Sequence, residues 1–83
     1  DADLSNTNMR DVTMDSAILD GADLSNSILE GAFAFNAKFE NVTIEGADFT
    51  DVLISKEVKI KLCDNANGIN PTTNRKTIET LDC

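Results

Sequence analysis

Ala2-Asp3-Leu4-Ser5-Asn6 and, twenty residues later, Ala22-Asp23-Leu24-Ser25-Asn26 are the same five residues, and Ala47-Asp48-Phe49-Thr50-Asp51 is a conservative copy of them. Counting in fives from Leu4 gives Leu4, Met9, Met14, Leu19, Leu24, Leu29, Ala34, Phe39, Ile44, Phe49 and Ile54, all apolar and all but Ala34 large. Two residues before each lies Ala2, Thr7, Val12, Ala17, Ala22, Ser27, Ala32, Ala37, Val42, Ala47 or Val52, all small or β-branched. A helix repeats every 3.6 residues and a strand every 2, so neither holds a phase of five over fifty residues. The pattern instead predicts a chain that turns a corner every five residues and points two of each five inward. Four such units close a square coil, and residues twenty apart stack. Gly21, Gly31 and Gly46, with Asn6, Asn26, Asn36, Asn41, Asp11 and Asp51, recur two residues after the large centre, where turn formers are needed.

The stacking predicts four interior columns: Leu4/Leu24/Ile44, Met9/Leu29/Phe49, Met14/Ala34/Ile54 and Leu19/Phe39. Ala34 is the weak member, flanked by Phe33 and Phe35. The small residues Ala32 and Ala37 keep phase on both sides of it, so both rings are expected to point outward rather than slip into the core. Eleven units at four per coil make about 2.75 coils, and at roughly 4.8 Å per coil the column is about 13 Å long.

The motif Ala-(Asp/Asn)-Leu-X-X, standing at residues 2–6, 22–26 and 47–51, resembles the consensus of the pentapeptide-repeat family over residues 2–56. The resemblance implies an all-β solenoid, a right-handed quadrilateral β-helix. The handedness comes from the family alone.

After Lys56 the phase of five stops, so the expected division is a repeat region over 1–56 and a C-terminal cap over 57–83. Glu57 to Ala66 has helical spacing, with Val58 and Leu62 one turn apart and Ser55 placed to cap its N-terminus. Gly68 is placed to end this helix, residues 70–74 (NPTTN) read as a turn, and Thr77 is expected to cap a short last helix. The physical task of such a segment is to cover apolar core and unpaired backbone at the end of a solenoid. Cys63 and Cys83 both fall in it. A disulfide between them would stabilise it by about 3 kcal/mol through loop entropy, and two free thiols in a packed cap are the competing reading. Without histidine, two thiolates alone do not complete a tetrahedral metal site.

The run Leu62-Cys63, Ala66, Gly68-Ile69-Asn70-Pro71, Thr77, Leu81 and Cys83 is similar to the C-terminal cap of pentapeptide proteins of the thylakoid lumen in chloroplasts and cyanobacteria. In those, two helices plug the coil and a disulfide joins them. Asn74 stands where a glycine is expected, and asparagine tolerates the same left-handed backbone. The resemblance implies an oxidising compartment and a lumenal location.

Charge and composition narrow the function. Of the net −8, residues 1–56 contribute eleven acids against three bases, whereas residues 57–83 hold four of each. Such a surface repels nucleic acid and anionic lipid, so no direct nucleic-acid partner and no membrane insertion are expected. With neither histidine nor tyrosine the chain lacks the usual proton shuttles, and stacked carboxylates such as Asp20 with Glu40 or Asp3 with Asp23 would lie on an open convex face. No catalytic residue, metal or cofactor is assigned. With no site to assign, the family resemblance implies a lumenal scaffold or interaction module, with a protein of a photosynthetic membrane complex as the expected partner. A DNA-mimicking protein that binds DNA gyrase is the alternative, favoured by the acidity and opposed by the short column. Phe33 and Leu53 share an outer column, with Phe35, Ile18 and Ile28 on nearby turns, and these five form the candidate partner face. The competing expectation is that the C-terminal cap folds back over Phe33 and Leu53. The first coil has no sealing helix in this sequence, so its end is expected to meet an upstream segment, a second copy or a partner.

Overall fold

The computed structural model describes residues 2–83, with principal extents of 29 × 24 × 22 Å. Parallel bridges join residues twenty apart: Asp3 to Asp23 to Thr43, Asn8 to Ile28 to Asp48, Thr13 to Phe33 to Leu53, and Ile18 to Lys38. These columns define four faces of a stacked coil, named here the first to fourth. Each side contributes a single bridged residue, because a corner every five positions leaves no room for a longer strand. The ladder is nonetheless continuous. Leu24 N–H donates to Thr43 C=O at 2.8 Å and Asp23 N–H donates back to Ala2 C=O at 2.9 Å, and the same pair of bonds recurs around the coil.

The corners explain which residues occupy them. The N–H of Ala22 donates to Leu19 C=O at 2.9 Å and that of Ala32 to Leu29 C=O at 3.0 Å, closing four-residue turns. The third residue of these turns has positive φ, from 56° at Asn6 to 75° at Gly46, the type II pattern that selects glycine, asparagine and aspartate. Asn36 is the exception among the turn residues named from sequence: it has no positive φ, and its N–H and side-chain amide both donate to Asp15 Oδ1 instead. Both phenylalanines point outward there, as expected, and Ala34 is fully buried. Where an Asp or Asn precedes the large centre, at Asp3, Asn8, Asp23 and Asp48, it has a local cause. Asp3, Asp23 and Asp48 each accept the N–H two residues ahead, from Ser5, Ser25 and Thr50 at 2.9–3.1 Å, and Asn8 does the same for Arg10. These Asx turns hold the corner from outside while the leucine or phenylalanine fills it from inside.

The core is the interior of the middle coil. Leu24, Leu29, Ala34, Ile44 and Phe49 are buried completely or nearly so, as are Ala22, Ser27, Ala32 and Ala47 beside them, and Met9 and Phe39 are buried with them. Leu4, Met14, Leu19 and Ile54, nearer the ends of the column, are only partly buried. Small and large residues alternate because the square interior is too narrow for two large side chains on one edge.

Helix α1 spans Lys56–Cys63, its N-terminus capped by Ser55 Oγ, which accepts Val58 N–H at 3.3 Å. Helix α2 spans Thr77–Thr80. Here the expectation was wrong: Thr77 is the first helical residue, its N–H donating to Gly68 C=O at 3.1 Å, and Lys76 is the cap, without a side-chain bond because an ammonium has no acceptor. Leu62 and Leu81 are buried against the end of the coil core. Cys63 and Cys83 are joined by a disulfide, which ties the end of α1 to the residues after α2.

Candidate functional site

The C-terminal segment continues the coil's hydrogen bonding with groups that cannot extend it. Gly46 N–H, which another coil would engage, donates to Asn67 C=O at 2.9 Å, and Phe49 N–H donates to Thr80 Oγ1 at 3.0 Å. Asn70, fully buried, is the pivot. Its Nδ2 donates to Ser27 C=O and Gly46 C=O, both at 3.0 Å, while its Oδ1 accepts Thr72 N–H at 2.9 Å and Thr73 N–H at 3.0 Å. Every polar valence of that amide is used. The close approach depends on glycine at Gly46 and Gly68: both have positive φ, and a Cβ at Gly68 would stand 2.8 Å from Gly46 N.

This docking decides which face is covered. The loop anchored by Asn70 lies against the second face, where Arg75 reaches Thr50 Oγ1 at 2.8 Å, Asp48 Oδ2 at 3.3 Å and Glu30 Oε2 at 3.6 Å. Ile28, assigned from sequence to the outer apolar patch, is only 5% exposed; it belongs to this second face and is removed from the patch. Asp48 is buried on the same face. Burial pushes its carboxyl upward, but hydrogen bonds from the Thr50 and Thr73 hydroxyls and Thr50 N–H, with the Arg75 charge, outweigh this and hold it below the ordinary value. Its Oδ2 has no well-aligned hydrogen bond and relies on the Arg75 charge.

The third face is left open. Phe33 and Leu53, bridged neighbours, are 37% and 45% exposed, so the C-terminal segment does not fold over them. Phe35 is 45% exposed and packs edge-on against Phe33, ring centroids 5.3 Å apart at 76°. Ile18, on the adjoining fourth face, is 71% exposed. Phe33, Phe35 and Leu53 are thus brought together, while Ile18 stays exposed around the corner on the next face.

The carboxylate pairs considered for acid–base chemistry are occupied by structural bonds. Asp20 Oδ1 accepts Glu40 N–H at 3.1 Å, and Glu40 Oε1 pairs with Lys61 Nζ at 2.6 Å. That contact raises the Lys61 pKa. Asp3 is held below its ordinary value, first by the Ser5 hydroxyl and then by the Ser5 N–H. Between the last coil and the C-terminal segment lies a cleft of about 600 Å³, lined by Phe49, Val52 and Ile54 with Lys59, Arg75, Asp51, Glu79 and Asp82. Its three acids outnumber its two bases, and the Thr50 and Thr80 hydroxyls that also line it are taken up by Asp48, Arg75, Phe49 N–H and Thr77 C=O. Among the described residues no group of acids and cysteines is arranged to hold a metal ion, and no helix is long and apolar enough to cross a membrane.

Sequence reasoning read Asn70 as part of a turn and of the cap resemblance, Asp48 only as a repeat residue, and gave Arg75 no role. The Asn-Pro pair signalled the turn, but nothing in the sequence signalled the forty-three-residue reach from Asn70 to Ser27.

Comparison with known proteins places these observations in context. The family profile described as Pentapeptide repeats (8 copies) matches residues 1–31 and 17–55. The chain is 44% identical over 48 residues, 58% of its own length, to thylakoid lumenal 15 kDa protein 1, chloroplastic, of Arabidopsis thaliana, and that match spans only 21% of the relative. The crystal structure of a pentapeptide repeat protein from the Arabidopsis thaliana thylakoid lumen superimposes with a TM-score of 0.95 at 40% identity, over 99% of this chain and 57% of the other.

Proposed function

The chain belongs to the pentapeptide-repeat family, and on that premise we propose that it is a non-catalytic protein of the thylakoid lumen that binds another protein through the open third face of its coil. The observation that carries this reading is the asymmetry between two adjacent faces. The second is sealed by the chain itself through Asn70 and Arg75, while Phe33 and Leu53 on the third, with Phe35 beside them, stay exposed, and Ile18 extends the apolar surface onto the fourth. A clustered aromatic and aliphatic surface on a rigid scaffold is the signature of a protein contact. The lumenal relatives support the compartment, and the disulfide is consistent with an oxidising one.

The right-handed quadrilateral coil with its C-terminal cap serves as a rigid mount, and the two domains of this reading are the repeats, 1–56, and the cap, 57–83. The acidic repeats favour a partner whose apolar contact surface is rimmed by basic residues, and a lumen-facing protein of a photosynthetic membrane complex is the partner this reading names. The test is a Phe33→Ser/Phe35→Ser double variant. Both rings already face solvent, so the melting temperature should hold while copurification of the partner from lumenal and thylakoid extracts is lost. Unchanged copurification, or a large loss of stability, overturns this assignment.

A further inference from the structure

A separate feature lies where the C-terminal segment meets the coil. Asn67 is followed by Gly68, the pair least hindered toward attack of a backbone nitrogen on a side-chain amide, because glycine presents no Cβ to the approaching carbonyl carbon. Both residues are exposed. The Asn67 side chain makes no hydrogen bond among the described residues, and Gly68 N–H donates none, so neither reactant is held back by a competing bond. The other asparagines of this segment lack one of these conditions. Asn70 is buried with its amide fully engaged and precedes Pro71, which has no N–H; Asn65 and Asn74 precede Ala66 and Arg75, whose side chains crowd the attack.

Gly68 itself is not replaceable. Its φ of +83°, and the 2.8 Å that would separate an added Cβ from Gly46 N, require a residue without Cβ, so the docking geometry fixes the glycine and thereby maintains the reactive pair. We propose that Asn67 is a spontaneous modification site, converted through a cyclic imide with Gly68 to isoaspartate or aspartate, which loosens the C-terminal segment from the coil.

The chemistry needs only water. Gly68 N attacks Asn67 Cγ and a carbon–nitrogen bond forms. The bond from Cγ to Nδ2 breaks, and ammonia leaves carrying the proton that Gly68 N gave up. Water then opens the ring at Cγ, giving aspartate, or at the main-chain carbonyl, giving isoaspartate. In the second product the chain runs through Cγ and is longer by one methylene. The former main-chain carbonyl, which accepted Gly46 N–H at 2.9 Å, becomes a free carboxylate outside the chain. Both products place a negative charge beside Glu45, whose Cγ lies 3.0 Å from the Cβ position of Gly68. The Gly46 anchor and the alignment of Asn70 behind it are disturbed together, while the Cys63–Cys83 disulfide keeps the segment attached.

The test ages the intact, oxidised protein at mildly alkaline pH and maps it by tandem mass spectrometry, with enzymatic methylation to mark isoaspartate. A synthetic peptide of residues 62–75 is aged in parallel. The expected result is conversion at Asn67 several-fold faster than at Asn65 or Asn74 in the folded protein, with a matching loss of Gly46 amide protection in hydrogen exchange. Asn67→Gln, which keeps the main-chain carbonyl, should retain Gly46 protection through the same ageing. If Asn67 persists in the folded protein while the peptide converts, the docked loop shields the pair and the proposal fails. Conversion that leaves Gly46 protection intact overturns the loosening.

Discussion

Removing the Asn70 side chain tests whether a single amide holds the C-terminal segment in place. Asn70→Ala deletes four hydrogen bonds of 2.9–3.0 Å. Neutral bonds of this kind are worth about 1 kcal/mol each, and more when the abandoned partner stays buried. Ser27 C=O retains a bond from Asp48 N–H at 2.9 Å, and Thr72 and Thr73 N–H, only part-buried, can turn to water; Gly46 C=O loses the amide that paired it. The net loss is therefore about 3 kcal/mol, a large share of the roughly 5–15 kcal/mol that stabilises a domain. For a chain of this size it lowers Tm by about 12–24 °C. Urea unfolding followed by circular dichroism measures it directly, and a change below about 1 kcal/mol would refute the pivot. Asn70→Asp separates hydrogen bonding from shape. The carboxylate keeps the outline but has no proton for the two carbonyls, so its folded-state pKa rises above the unfolded value near 3.9. The penalty is then smallest below about pH 4 and grows as pH rises through the folded pKa. A pH-independent penalty would show that shape, not hydrogen bonding, is at stake.

Three further outcomes are expected. Reducing the Cys63–Cys83 disulfide, or the Cys63→Ser/Cys83→Ser variant, should cost about 3 kcal/mol, seen as a lower thermal midpoint with reductant present. Asp48, with its depressed carboxyl pKa, contributes stability that is present above the unfolded value near 3.9 and lost as pH falls through the folded pKa; Asp48→Asn should flatten the acid limb of the stability–pH curve while costing about 1–3 kcal/mol at neutral pH through its charge-assisted bonds to Thr50, since the half-exposed Arg75 keeps Glu30. Ala34→Leu should destabilise by about 1–3 kcal/mol through overpacking between Met14 and Ile54, whereas a neutral result would mean the column has slack at that level.

The coil was legible because its signal is redundant: each inward pair recurs every five residues, so a lapse such as Ala34 does not lose the register. The corner at Asn36 was not, since its side chain suits a left-handed turn and only the neighbouring Asp15 carboxylate draws its N–H elsewhere. Exposure was legible for Phe33, Phe35, Leu53 and Ile18. Ile28 was misassigned because its repeat position is the same as that of Phe33 and Ile18; what distinguishes it is a loop some forty residues away in sequence that settles on its side of the square. Repeat register fixes which side chains point out, but long-range docking decides which of those stay wet.

Substituting a side-chain amide, a hydroxyl and a diverted carbonyl for the next rung also gives the column a polarity. Gly46 and Phe49 are capped by Asn67 and Thr80, neither of which offers a repeating template to a further coil. A filament of such units needs complementary open ends on each copy, and here one of the pair is chemically spent. Head-to-tail stacking therefore loses its template at these two rungs, so a chain built from the same rungs as a fibre resists extension at this end without relying on charge alone.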